Sequence, residues 1–242
     1  MTEEYPINAE AFITMLLAQR RTRMKGGIYH LTQIAMAYNT NRIEGSTLTE
    51  DQTRYLYETK TVMGEAHVND VIETTNSFRA FDAMLDNVGN PLTADLLKEY
   101  HRILKSGSLD AQQPWFRVGD WKAIANEVGG RATSAPEHVA GDIARLLDNT
   151  PSHMTFEDIC DFHVAFEKIH PFQDGNGRVG RLVMFGQCLA NNIMPFVVLD
   201  QQKAFYYRGI SEFDDEPGFL RETFRSFQDA YYERFRDFVV VR

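Results

Sequence analysis

His170-Pro-Phe-Gln-Asp-Gly-Asn-Gly-Arg-Val-Gly-Arg181 gathers a titratable imidazole, a carboxylate, a glycine-flanked turn and two arginines into twelve residues. Helical patterns run up to it and away from it. Gly175-Asn176-Gly177 joins those patterns, and glycines there permit positive φ and close approach of a ligand to the backbone. The turn opens a helix N-terminus, where free N–H groups and the helix dipole favour an anion, and Asn176 adds a side-chain donor. Read alone, the same three residues also suit a plain helix–turn–helix corner with Asn in the left-handed conformation.

The neighbours narrow the choice. Arg178 and Arg181 lie three apart in the first turn of the following helix, on roughly one face. Cations at that end oppose the dipole, so the placement asks for a compensating anion, and guanidinium forks match phosphate oxygens. Asp174 is a hard carboxylate of the kind that contributes to Mg²⁺ beside a polyphosphate; its bland role is an N-cap. His170 ends the preceding helix and can take a proton near neutral pH, or satisfy helix carbonyls. Phe172 reads as a core anchor. His163, Glu167 and His170 share one helix face, but lack the H-E-x-x-H pattern and a fourth ligand, so a zinc site is not expected.

Composition sets the frame. A chain of 242 residues with 43% hydrophobic and 24% charged residues suits a single domain of a soluble protein. No apolar run is long enough to span a membrane. The start, Met1-Thr-Glu-Glu-Tyr-Pro, lacks a signal peptide's basic and apolar regions, so a cytoplasmic location is expected. A net charge of −9 argues against direct nucleic-acid binding. Arg20, Arg21, Arg23 and Lys25 sit where a first helix ends and complement its dipole. Cys160 and Cys188 lie in apolar helical patterns and read as buried thiols.

Periodicity predicts an all-α chain, with helices near residues 8–24, 28–42, 68–85, 92–104, 204–213 and 219–238. Thr49 and Thr155 are caps, the latter for a helix through Lys168, and Thr93 or Asp95 caps the helix near 92. Pro136 is expected to open a helix reaching Leu147, and a central helix runs from Gly177 to about Asn191. Residues 107–136 break the pattern, and Trp121 to Gly130 predict a short hairpin or extended loop. Leu220, Phe224, Phe227, Tyr231, Phe235 and Phe238 form one stripe, expected to be core.

The twelve residues resemble the Fic-domain signature, H-x-F-x-[DE]-G-N-G-R-x-x-R, at every specified position. Phe162-His163, Phe166-Glu167 and Tyr206-Tyr207-Arg-Gly-Ile210 extend the likeness. It implies an all-helical Fic fold with a small β-hairpin flap, a core near residues 92–213 and a C-terminal helix over 217–242. It implies AMP transfer from ATP to a Ser, Thr or Tyr hydroxyl of a target protein, which could be the chain itself. His170 would be the base, Asp174 would bind Mg²⁺, and Gly175, Asn176 and Gly177 would form the anion hole. Arg178 would support the phosphates and the fold, and Arg181 would grip the γ-phosphate. Asn126, Glu127, Val128 and Gly129 would dock the target by main-chain pairing, and Tyr206 and Tyr207 would lie near the adenine. Thr40-Asn-Arg-Ile-Glu44-Gly45 resembles the inhibitory motif [ST]-x-x-x-E-[GN], which implies an inhibitory region near 28–50 with Glu44 pairing with Arg181. Phosphotransfer, AMP removal and a non-catalytic nucleotide switch stay open as alternatives, as does assembly with a second copy. Gly177 stands where the kinase-like branch carries lysine, which favours AMP transfer.

Overall fold

The computed structural model describes residues 7–238, so the N-terminal Met1–Pro6 reading lies outside the described residues. Ten α-helices, two short 3-10 helices (Asp110–Gln112 and Asp200–Gln202) and one two-stranded hairpin make up the regular structure among them. Helix α1 (Ala9–Thr22) takes its N-cap from Asn8, and its last turn carries Arg20 and Arg21 as the dipole asks. Helix α3 (Glu50–Thr59) and helix α7 (Phe156–Ile169) open with full capping boxes at Thr49 and Thr155. Thr93, not Asp95, caps α5 (Ala94–Lys105).

Two helices are buried on nearly every side. Helix α2 (Ile28–Ile43) hides thirteen of its sixteen residues, and helix α8 (Asn176–Ala190) is almost as enclosed. A helix apolar all round belongs inside a bundle, but α2 also carries buried polar side chains that need partners. Gln33 Nε2 donates to the Phe78 carbonyl, at 3.2 Å, in α4 (Val68–Asn87). Asn41 Nδ2 donates to Ser77 Oγ at 2.9 Å, and the Thr32 hydroxyl meets the Tyr231 hydroxyl at 2.7 Å. Helices α1, α3, α4 and α8 pack around α2. This arrangement brings the C-terminus of α2 to the N-terminus of α8.

Helix α9 (Lys203–Ser211) and helix α10 (Pro217–Phe235) pack together, and the stripe of α10 is core, as expected: Leu220, Phe224, Phe227, Tyr231 and Phe235 are buried, with Phe238 packed at its margin. Cys160 and Cys188 are free and buried. No helix among the described residues is long and apolar enough to cross a membrane.

Three boundaries differ from expectation, the first being the C-terminal helix expected over 217–242, which ends at Phe235, with residues 239–242 outside the described residues. Helix α6 starts at Val139 and runs to Asp148, because His138 N–H bonds back to the Ala135 carbonyl and spends residues 135–138 on a turn after Pro136. The hairpin does not end at Gly130. Strands β1 (Glu127–Val128) and β2 (Arg131–Ala132) pair antiparallel about Gly129-Gly130. Both glycines have positive φ (56° and 75°), the requirement of a tight turn whose twist matches the strands.

Candidate active site

The loop between α7 and α8 is fixed from both sides before it reaches any ligand. His170 closes α7 in the left-handed conformation, with φ 51° and ψ 61°. Phe172 is fully buried and stacks on His101 of α5 at a ring separation of 4.0 Å. His101 Nδ1 accepts the Gly119 N–H at 3.0 Å, so its other nitrogen carries the proton and donates to the Asp174 carbonyl at 3.1 Å. Burial, with the Lys105 charge nearby, pushes the His101 pKa down to about 3, so this imidazole is a neutral brace.

The Asn176 side chain turns back onto the loop. Its Oδ1 accepts the Phe172 N–H and its Nδ2 donates to the Phe172 carbonyl, both at 2.8 Å. Both ends of the buried amide staple the loop. Gly175 precedes it at φ 83° and serves as the N-cap of α8 without a side-chain bond. A Cβ at Gly175 would touch His101 and Lys105 at 3.5 Å.

His170 Nδ1 lies 3.3 Å from the Glu167 carbonyl, which can only accept, so Nδ1 carries the hydrogen and the Nε2 lone pair is left. Burial lowers the His170 pKa below its ordinary value, and the charge of Lys122 pushes the same way, against that Glu167 carbonyl and the Glu44 and Asp174 charges. A neutral imidazole with a free lone pair is a proton acceptor.

The two arginines diverge. Arg178, 3% exposed, reaches Glu73 Oε2 of α4 at 2.6 Å and Asp174 Oδ2 at 2.7 Å. Lys105 is fully buried, and its ammonium meets Asp174 Oδ2 and Asp110 Oδ2 at 2.7 Å each, and also Glu73. Asp174 is therefore no N-cap. Burial would raise its pKa, but Arg178 and Lys105 outweigh that and hold it well below the carboxylate range. Oxygens of Glu73, Asp110 and Asp174 lie within 4.8 Å of one another, so three carboxylates face two cations and keep one net negative charge. They border a cleft of about 440 Å³ that Glu44, Trp115 and Arg178 also line.

Arg181 turns toward α2. Its Nε donates to Thr40 Oγ1 at 2.8 Å, and its Nη2 donates to the Thr40 carbonyl at 3.3 Å and to Glu44 Oε1 at 2.5 Å. Gly45, with φ 98°, ends the turn that carries Glu44. The Glu44 carboxylate rests on Gly177, where an added Cβ would collide with Oε1. A carboxylate thus sits against the opening turn of α8, the position the dipole offers an anion.

Tyr206 does not face an open pocket. It is 1% exposed, and its hydroxyl is 2.8 Å from His163 Nε2 and 3.5 Å from Arg181 Nη1. Tyr207 is exposed, and its hydroxyl donates to the Ile43 carbonyl at 3.3 Å. His163 and Glu167 are in place on their helix face, but burial keeps His163 neutral, down to about 3, and pushes Glu167 up to about 7. The flap residues Asn126, Glu127, Val128 and Gly129 stand beside the loop, with Asn126 Nδ2 donating to the Phe172 carbonyl at 3.2 Å.

Glu73, His101, Lys105 and Asp110 were not among the sequence candidates. Lys105 in the last turn of α5 reads as an ordinary dipole-complementing cation. Only the tertiary approach of α4 and the 110 segment gives it three acids.

The Fic/DOC family matches residues 91–187. A protein named protein adenylyltransferase Fic from Drosophila ananassae is 27% identical over 202 residues, covering 78% of this chain and 37% of its own length. The chain thus spans less than two-fifths of that relative. A Fic family protein from Desulfovibrio desulfuricans has the same fold, with a TM-score of 0.70 at 24% identity, covering 95% of this chain and 74% of that one. A Fic domain containing signaling protein from Bacteroides thetaiotaomicron gives 0.68 at 21% identity, with coverages of 93% and 91%. The signature loop at the junction of α7 and α8 falls within the residues that match the Fic/DOC family.

Proposed function

We propose that this protein transfers AMP from ATP to a Ser, Thr or Tyr hydroxyl of a protein, and that residues near 28–50 restrain the transfer through Glu44. The observation that carries the reading is a base with a free Nε2 beside a helix N-terminus whose anion seat holds a carboxylate. The adenylyltransferase name of the Drosophila ananassae relative supports it.

His170 Nε2 takes the hydroxyl proton as the target oxygen bonds to the α-phosphorus. The bond from that phosphorus to pyrophosphate breaks, and the leaving charge meets Arg181 and the backbone N–H groups at the start of α8. Nδ1–H stays on the Glu167 carbonyl, so the ring keeps its orientation as it becomes imidazolium. The donor set suits Mg²⁺: Asp174 stays ionised, Glu73 and Asp110 stand close by, and one negative charge is unbalanced. Bound there, the ion would neutralise phosphate charge. The flap, strands β1 and β2, presents main-chain groups for the target segment. Glu44 restrains transfer by holding the guanidinium that the γ-phosphate needs and by filling its place against Gly177.

The test is labelling with ATP carrying radioactive α-phosphorus. Glu44→Gly should incorporate more label than wild type, and His170→Ala should incorporate none while keeping its melting temperature. Intact mass should show an added AMP; an added phosphate would replace the reading with phosphotransfer. Equal incorporation in all three proteins would remove both assigned roles.

A further inference from the structure

Lys122 is a buried cation whose hydrogen-bond partners are all neutral. The residue is 2% exposed, yet its ammonium donates to Asn126 Oδ1 at 2.7 Å, Thr133 Oγ1 at 2.6 Å and the Ile169 carbonyl at 3.3 Å. No carboxylate among the described residues is within ion-pairing distance of it, and burial lowers its pKa to about 8 although the charge of Asp142 pulls the other way. Such a placement asks for a task.

The partners show what the ammonium joins. Asn126 precedes β1 and Thr133 follows β2, so one cation ties both feet of the flap. Ile169 is the residue before His170, and Lys122 N–H also donates to the Pro171 carbonyl at 2.9 Å. Lys122 therefore brackets His170 on both sides along the chain. Asn126 Nδ2 on the Phe172 carbonyl and Ile124 N–H on Gln173 Oε1, at 3.2 Å each, continue the seam. The charge of Lys122 also bears on His170, which faces Glu44, Asp174 and Glu167 from its other sides.

We propose that Lys122 is a positioning residue that fixes the flap relative to His170, so that a segment paired with the flap presents its hydroxyl at Nε2. This rests on the proposed function. Lys122 would touch neither ATP nor the acceptor; it acts through the flap and through the imidazole. Its cation disfavours a second positive charge beside it, which keeps the base neutral before it takes the proton.

The test uses the full chain carrying Glu44→Gly, with Lys122→Met and Lys122→Arg compared against it. Trypsin cleavage after the exposed Arg131 reads flap opening, histidine NMR reads the His170 titration, calorimetry reads ATP–Mg²⁺ binding, and radiolabelling reads self-modification at saturating ATP. Lys122→Met should speed cleavage about tenfold, as expected when local opening becomes easier by about 1.4 kcal/mol. It should raise the His170 pKa, leave ATP affinity unchanged and slow labelling. Lys122→Arg should restore both flap protection and the titration, which a lost packing contact alone would not do. Should Lys122→Met fail to fold, Thr133→Val removes one flap partner and should give the same cleavage change in smaller measure. Wild-type cleavage together with an unmoved His170 titration would overturn the proposal. The two readings fail separately: shifts in cleavage and titration without any AMP transfer would sink the function but keep the positioning role, and transfer that ignores Lys122 would do the reverse.

Discussion

Glu44 Oε1 lies 2.5 Å from Arg181 Nη2 and in the same place rests on Gly177, so one carboxylate both neutralises a buried guanidinium and covers the start of α8. Removing one partner of a buried ion pair costs about 3–5 kcal/mol. Two features reduce that here: Glu44 is 27% exposed at its side chain, and Arg181 keeps its bonds to Thr40. Glu44→Gly is expected to lose about 1–2 kcal/mol, or a few degrees of Tm. ATP–Mg²⁺ should then raise the Tm of the variant more than that of wild type, because a ligand stabilises in proportion to its binding of the folded state. Thermal melts with and without ATP–Mg²⁺ check this, and an equal rise in both would contradict a competing carboxylate.

Asn176→Ala should separate loop geometry from catalytic chemistry. The amide satisfies the Phe172 N–H and shares its carbonyl with Asn126. Its loss leaves a buried N–H without a partner, at about 1–3 kcal/mol. The variant should melt lower and, in the Glu44→Gly background, label poorly even at saturating ATP, because the loop that carries His170 loses its staple. Denaturant unfolding together with labelling rates reads both effects.

Local signals carried this far into the site and then stopped. The caps at Thr49, Thr93 and Thr155 and the loop of residues 170–181 were legible because each depends on residues within a few positions. The orientation of Tyr206 was not, since adjacent tyrosines on a short helix give no hint which one turns toward His163. The acids around Lys105 come from α4, the 110 segment and the loop, and no spacing links them. The far strand of the flap was lost because Gly129-Gly130 reads equally well as an end or as a turn.

Glu167 predicts an unusual dependence on pH. Burial, opposed by Arg181 and reinforced by Glu44, raises its pKa to about 7, and its Oε1 is buried without a hydrogen-bond partner. The unfolded chain gives up this proton near pH 4.5, its ordinary value, so between there and about 7 the native state holds more protons. Stability from this group then falls as pH rises through that window and is level above it. At about 1.4 kcal/mol per pH unit, the loss approaches about 3 kcal/mol. Glu167→Gln removes the titration while keeping the shape. It should be more stable than wild type by about 1–3 kcal/mol at pH 8 and nearly equal to it at pH 4.5, in denaturant unfolding at the two values. A constant difference across pH would show that the carboxyl is ionised throughout.

Asp174 predicts the opposite sign. Burial favours its neutral form, but Arg178 and Lys105 outweigh burial and hold its pKa below the ordinary 3.8. The unfolded chain therefore binds the proton first as pH falls, and the stability contributed by this carboxylate is complete above about pH 4 and lost as pH drops through the folded pKa. Asp174→Asn should be less stable than wild type at pH 7, because Lys105 and Arg178 lose one of the acids that hold them. The gap should narrow as the pH is taken from 4 toward 2, because the unfolded wild-type chain takes up the proton there while the native carboxylate still resists it. Denaturant midpoints across that range measure it. The same variant should lose any Mg²⁺-dependent rise in Tm measured with ATP present. A variant that kept the wild-type acid profile would show that Asp174 is not the acid-sensitive carboxylate.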